Sequence, residues 1–394
     1  MSVNRNPQIL LISPSVICQD PRVLSHLEVL QEFGDVTTLG YGTTPHESIS
    51  HIRINDTVSY LPKSFMGLLR ILLGLNVSAA AGTSFSKAAL VNTYSKTFDL
   101  VVANDVHTLA VAHAIAKRNN AKFWADMHEY APLEGEHDWR WMLAFRRYVK
   151  RLCLKYLKTA DCVTTVGEGI RRKFEEDLGR EVLVLRNTAS YSPRIRTHDQ
   201  KEGNQLSLIH VGVAIRARCL ENMIQAVKEL DGVTLDLLIL PTDKKYFDEL
   251  CQMTQDLFNI QILPSIETSE INSFISKYHC GIVTIPPTSF NYANALPNKI
   301  FQYVQARLAV ITGPIPEVAS IVREYDLGWV TQDFSIHQIR NAVLLAKEQG
   351  VVSFVDNLDR AALVLSKENE SLVRRRIVEN LLESTSFLKS QVTE

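Results

Sequence analysis

No stretch of this 394-residue chain is apolar for long enough to span a bilayer, and no two cysteines have the Cys-x-x-Cys spacing of a metal or redox centre. The six cysteines, at positions 18, 153, 162, 219, 251 and 280, read instead as core thiols of a reducing compartment. Neither sign of charge is in excess. With 42 Lys and Arg against 43 Asp and Glu the formal net charge is −1, which gives no electrostatic reason to expect a nucleic-acid partner. Several catalytic signatures are missing as well. Without Gly-x-Ser-x-Gly there is no nucleophile elbow for a hydrolase, and without Gly-x-Gly-x-x-Gly after a strand there is no nicotinamide site. Without an Asp-x-Asp pair or a His/Cys cluster of ligand spacing, no metal and no cofactor is expected. The opening "MSVNRNPQ" runs into "ILLIS" with neither a basic n-region nor a cleavage site, so the expectation is a cytoplasmic protein.

What the sequence does have is regular alternation. Short apolar runs, "QILLISPS", "DVTTLGYG", "DLVVAND", "AKFWADMH", "DCVTTVGE" and "VLVLRN", are interleaved with amphipathic segments up to Asn187. After a polar segment without either period, 188–205, a second series begins: "SLIHVGV", "LDLLILP", "IQILPSI", "CGIVTIPP", "LAVITGP" and "GWVTQDF". Alternation of this kind builds βα units with parallel sheets, and the length suits two domains joined by a linker at 188–205. A tail with apolar residues at helical spacing, "ESLVRRRIVENLLESTSFLK", has no strand after it and reads as a helix closing the second domain or crossing back to the first.

Ligands of open parallel sheets bind beyond the carboxyl ends of the strands, so the polar residues that follow each strand are the candidates. In the first half these are Gln19 to Arg22, Asn104 with Asp105, and His128 with Glu129; in the second they are Gly212 with Arg216 and Arg218, Pro264 to Ile266, and Asn294 to Lys299. They would converge on one interdomain cleft. The stretch "NALPNKIFQYVQ" opens a helix at Asn298 just beyond a strand, where free amides and the helix dipole favour an anion and Lys299 adds a full charge. The same letters also suit a plain helix start, with Asn298 as cap and Lys299 in solvent.

Three stretches, "FDLVVANDVHTLAVAHAIAKRNNAKFWADMHEYAP", "LIHVGVAIRARCLENMIQAV" and "ALPNKIFQYVQARLAVITGPIPEVASIV", resemble in order and spacing the retaining, nucleotide-sugar-dependent glycosyltransferases of family 4 over residues 8 to about 350. The resemblance implies an α/β architecture of the GT-B type, with two Rossmann-like doubly wound parallel-sheet domains facing across a cleft. It implies an acceptor-side domain at 1–190, a donor domain at 191–368 and a C-terminal helix at 369–394. The activity implied is transfer of a sugar from a nucleoside diphosphate sugar to a hydroxyl of a glycan or lipid-linked acceptor, in polysaccharide or glycolipid synthesis. Carried over by position, Arg218 and Lys299 fall on the donor diphosphate with Gly212 and Arg216 beside them, and Leu296, Pro297 and Asn298 form the helix start that cradles it. His128 falls on the transferred sugar, and Pro264, Ser265 and Ile266 around the nucleobase. From their own places after strands, Asp105 and Glu129 are read as binding the acceptor, with plain solvent exposure the alternative for Glu129.

The sequence departs from that pattern at points that bear on chemistry. The Glu-x7-Glu pair of many members reads Asn294 and Gln302, which exchanges charge-assisted bonds to sugar and ribose for neutral ones. The loop after the first strand, "SPSVICQDPRV", has no glycine, and Cys219 and Arg307 stand where glycine is common in the family. A rival reading is therefore a non-catalytic subunit of the same fold with a decayed donor site; a third is an epimerase or hydrolase of the same two-domain shape. Finally, "WRWMLAFRRYVKRLCLKYLK" carries seven basic residues from Arg140 to Lys158 and no acid among them. With the apolar "SFMGLLRILLGL" it reads either as covering helices of the first sheet or as a segment lying on an anionic membrane surface.

Overall fold

A computed structural model describes residues 5–193, 205–267, 270–294 and 296–391, with side chains as far as Glu383. Its backbone contains thirteen strands among the described residues: β1 (Gln8–Val16), β2 (Asp35–Tyr41), β3 (Ser50–Arg53), β4 (Leu100–Asn104), β5 (Lys122–Met127), β6 (Cys162–Thr165), β7 (Leu183–Val184), β8 (Leu206–Val213), β9 (Val233–Leu240), β10 (Ile260–Leu263), β11 (Cys280–Val283), β12 (Ala309–Thr312) and β13 (Gly328–Val330). They form two separate sheets, ordered β3-β2-β1-β4-β5-β6-β7 and β10-β9-β8-β11-β12-β13. Every pairing is parallel. In each sheet the order reverses beside the first strand of the series, between β1 and β4 and between β8 and β11, the crevice in which such sheets hold ligands.

The chain divides into two compact units, Met1–Arg186 with Ser371–Glu394, and Asn187–Glu370. In the first, Ile9, Leu11, Leu100 and Val102 of the central strands are fully buried, and Ile377, Val378 and Leu381 of the C-terminal helix pack into the same cluster. An exposed pair, Arg375 to Glu32 at 2.6 Å, adds little to that docking. In the second unit, Leu208, Leu235, Ile282 and Val310 bury in one cluster with Ile300, Phe301 and Val304 of the helix Asn298–Gln305. Most of the polar segment read as a linker, 194–204, lies outside the described residues. Its beginning is tied within the second unit, where the Tyr191 amide donates to Glu368 at 2.8 Å and the Ser192 amide to Gln305 Oε1 at 2.9 Å.

Two local findings correct the sequence reading. β3 carries no apolar run and was not expected; it is a four-residue edge strand that pairs only with β2, and "SHIR" buries too little to leave a signal. The candidates Gln19 to Arg22 after β1 serve the fold. Asp20 caps the following helix Pro21–Leu30 by accepting from the amides of Arg22 and Val23 at 3.2 and 3.3 Å, so a carboxylate already occupies that helix start.

Candidate functional site

In the second unit the sequence candidates gather around the end of β8. A methyl group added at Gly212 would lie 2.9 Å from His210 Nε2, 3.1 Å from Lys299 Cε and 3.3 Å from Arg218 Nη1. Three nitrogen-bearing side chains thus converge on the space that glycine leaves open. Arg218 is brought there by a 3₁₀ turn, Arg216–Arg218, and Cys219 then takes the left-handed conformation (φ 48°) before the helix Leu220–Val227. Arg307 is also left-handed (φ 62°), a conformation that glycine adopts without strain. Lys299 comes from a different element, as the second residue of the helix Asn298–Gln305. Pro297, not Asn298, is the N-cap of that helix and supplies no capping side chain, so the first amides have no intramolecular cap.

The charges here are unbalanced. No carboxylate among the described residues pairs with Lys299 or Arg218, and Arg218 Nε and Nη1 are buried without a hydrogen-bond partner. Burial first, and the neighbouring guanidinium second, pull the Lys299 ammonium down to about 8. Burial lowers Arg218 as well. His210 is fully buried, and desolvation with the two cations holds its imidazole down at about 3, hence neutral. Its Nδ1 lies 2.8 Å from the Ile282 carbonyl, an acceptor, so Nδ1 carries the proton and the unpartnered Nε2 presents a lone pair to the cations. The sequence reading passed over His210 because it sits inside an apolar run; a lone polar residue in "LIHVGV" was the available signal.

The remaining second-unit candidates divide. Arg216 is exposed, bonded to Glu249 at 2.6 Å and stacked on the Tyr246 ring at 4.8 Å, so it is not one of the cations beside Gly212. Asn294 donates its side-chain amide to the Phe290 carbonyl at 2.8 Å and finishes the short helix Phe290–Ala293. Leu296 and Ile266 pack against the core, while Pro264 and Ser265 are exposed after β10. Gln302 is half-buried one turn beyond Asn298 on the same helical face.

In the first unit, His128 follows β5 and its Nε2 stands 3.5 Å from Asp126 Oδ2, at ion-pair range but beyond a well-formed hydrogen bond. Burial pushes this imidazole down, Asp126 and Asp105 push it up, and the anions prevail. Asp126 itself is fully buried and saturated: Arg22 donates to both of its oxygens at 2.6 Å, His26 Nε2 lies at 2.8 Å, and Thr164 donates at 2.5 Å. Arg22, read as a cleft residue, is therefore a core residue. Asp105 holds a positive φ of 71° and accepts from the Val106 amide at 2.7 Å. Protein crowding and then the Asp105 charge raise Glu129, and Glu134 rises to about 7 from crowding, Asp105 and Glu129 together. Glu134 gave no signal in the sequence, since it lies in a loop well past the strand end.

No family model matches this sequence, and no curated protein matches it. Solved structures do. HepE from Anabaena in complex with UDP-glucose is similar at 14% identity and a TM-score of 0.69, covering 95% of this chain and 100% of that one. Sucrose-phosphate synthase from Thermosynechococcus elongatus is similar at 13% identity and a TM-score of 0.72, covering 96% and 100%. A trehalose-6-phosphate structure from E. coli bound with UDP-2-fluoro glucose is similar at 12% identity and a TM-score of 0.66, covering 95% and 99%. The likeness spans both units, and with two wholly parallel sheets of reversed strand order it establishes the GT-B fold for this chain. No helix among the described residues is long and apolar enough to cross a membrane.

Proposed function

We propose that this protein is a retaining glycosyltransferase that moves a hexose-type residue from a nucleoside diphosphate sugar to a hydroxyl of a glycan or lipid-linked acceptor. The observation that carries this reading is the pair of unneutralised cations, Lys299 and Arg218, meeting an uncapped helix start over the gap at Gly212. Two desolvated cations without an anion are costly in the free protein, and a diphosphate removes that cost on binding. As the glycosidic bond breaks, negative charge grows on the leaving diphosphate. Fixed cations and helix amides already aimed at it stabilise the transition state, by about 3 kcal/mol for one such donor. His210, neutral and held by the Ile282 carbonyl, adds no third positive charge beside the two cations. In this reading the leaving diphosphate accepts the acceptor proton, no metal is needed, and turnover continues in excess chelator.

We assign His128 to the transferred sugar, with Asp126 raising its proton affinity, and Asp105 and Glu129 to acceptor hydroxyls. Backbone groups of Pro264 to Ile266 would bracket the nucleobase, Asn294 would lie toward the sugar and Gln302 on the ribose. A uridine donor is the first to test, because HepE is solved with UDP-glucose. The test is calorimetric titration of a panel of nucleoside diphosphate sugars, with nucleotide release and the anomeric configuration of the product followed on the same samples. Binding with release into a retained glycoside is the expected result. Tight binding without turnover on any acceptor would favour the non-catalytic subunit, and binding of no nucleotide would overturn both.

A further inference from the structure

We infer that the face of the first unit formed by the helices Phe65–Leu72 and Trp139–Tyr156 docks on an anionic lipid surface. The inference goes beyond the transferase reading and does not depend on it. Soluble proteins seldom leave large apolar side chains exposed in a continuous patch. Here seven lie exposed between Phe65 and Val77, with Phe65 at 80% and Leu72 at 79%, and the neighbouring helix adds Leu143 at 78% and Trp139 at 69%. A groove of about 640 Å³ between the two helices is lined by the apolar Leu72, Met142 and Leu143 together with the basic Arg146, Arg147 and Arg151.

Covering the sheet does not account for this surface. The helix Trp139–Tyr156 performs that task with another face, through Tyr148, Val149, Leu152, Cys153 and Tyr156, all buried. Among its cations, Lys150 meets Asp177 at 3.5 Å and Arg151 donates to the Gly74 carbonyl at 3.2 Å, but Arg146 and Arg147 are exposed and no carboxylate among the described residues pairs with them. Charge decides the occupant. Two copies of this chain pressed together here would oppose two basic rims, whereas an anionic bilayer offers phosphates to the arginines and an acyl boundary to Phe65, Leu72 and Leu143.

The test is cosedimentation of the full chain with vesicles of phosphatidylglycerol and phosphatidylcholine against phosphatidylcholine alone, at low and high salt. Binding should require the anionic lipid and weaken with salt. Arg146→Gln with Arg147→Gln should weaken it by roughly fivefold per cation, on the order of twentyfold for the pair. Phe65→Ser with Leu72→Ser and Leu143→Ser should abolish the part that survives high salt. All five side chains are exposed, so the melting temperature serves as a control for folding and should not fall. Equal binding to both vesicle types, no binding to either, or no response to the charge pair would overturn the proposal. So would self-association in sedimentation velocity that depends on the same residues, which would make the face an interface between copies.

Discussion

Each unit gathers a cluster of cationic and imidazole groups at the end of its sheet, fully buried around Asp126 and partly buried around Gly212, and the two clusters are balanced in opposite ways. Around Asp126 the guanidinium of Arg22, the ring of His26 and the hydroxyl of Thr164 fill every acceptor direction of one carboxylate. Around Gly212 the corresponding groups, Arg218, His210 and Lys299, pair with no carboxylate among the described residues. A buried charge that is paired and bonded holds a fold together, while a buried charge left without its counter-ion marks a place reserved for a ligand. Burial alone does not distinguish the two, because His26 and His210 are equally buried and both are held neutral, at about 4 and about 3.

Breaking the balanced cluster should have the largest effect. Asp126→Asn leaves the Arg22 guanidinium buried without its anion, and the expected loss is about 3–5 kcal/mol of stability. It is read by chemical denaturation, and activity should disappear with the fold. The open cluster should respond in function instead. Gly212→Ala places a methyl group against Lys299 Cε and Arg218 Nη1, which can give way, and against His210 Nε2, which is held, so a small loss of stability accompanies a fall in donor affinity of about tenfold, or about 1.4 kcal/mol. The smallest effect is expected at Gln302→Ala, which under the proposed assignment removes one neutral ribose contact made alike in ground and transition states. The donor KM should rise by about fivefold, the equivalent of about 1 kcal/mol, with kcat nearly unchanged. A kcat defect at constant KM would move Gln302 to the reaction centre.

The sequence carried the architecture well where strands are central and apolar, since β1, β4, β5, β8, β9 and β11 are each a short hydrophobic run that only a doubly covered parallel sheet can bury. It carried less at the edges, where β3 buries almost nothing and β7 is two residues long. Lys299 and Arg218 were legible because a parallel sheet puts polar residues after its strands. The choice between Arg216 and Arg218 was not legible, because it depends on which way a 3₁₀ turn aims each side chain and on Glu249, 33 positions away. The pairing of Arg22 with Asp126 spans 104 positions and leaves no local trace. Tertiary partners of this kind are what decides whether a cation belongs to the core or to a site.

The most direct test of the distinction is thermal unfolding and nucleotide calorimetry of Lys299→Met beside the wild type. Lys299 is depressed to about 8 from an ordinary 10.5, so the folded state gives up this proton before the unfolded one does. The electrostatic penalty is therefore complete below pH 8 and is relieved as the pH rises toward 10.5. At pH 7 the methionine variant should melt no lower than the wild type, and over pH 8 to 10 only the wild type should gain stability from this group. Its affinity for UDP should meanwhile drop about a hundredfold, on the scale of a charged hydrogen bond to phosphate lost with its Coulombic share. A variant that melts well below the wild type and binds UDP as tightly would show that Lys299 serves the fold, and would contradict the account.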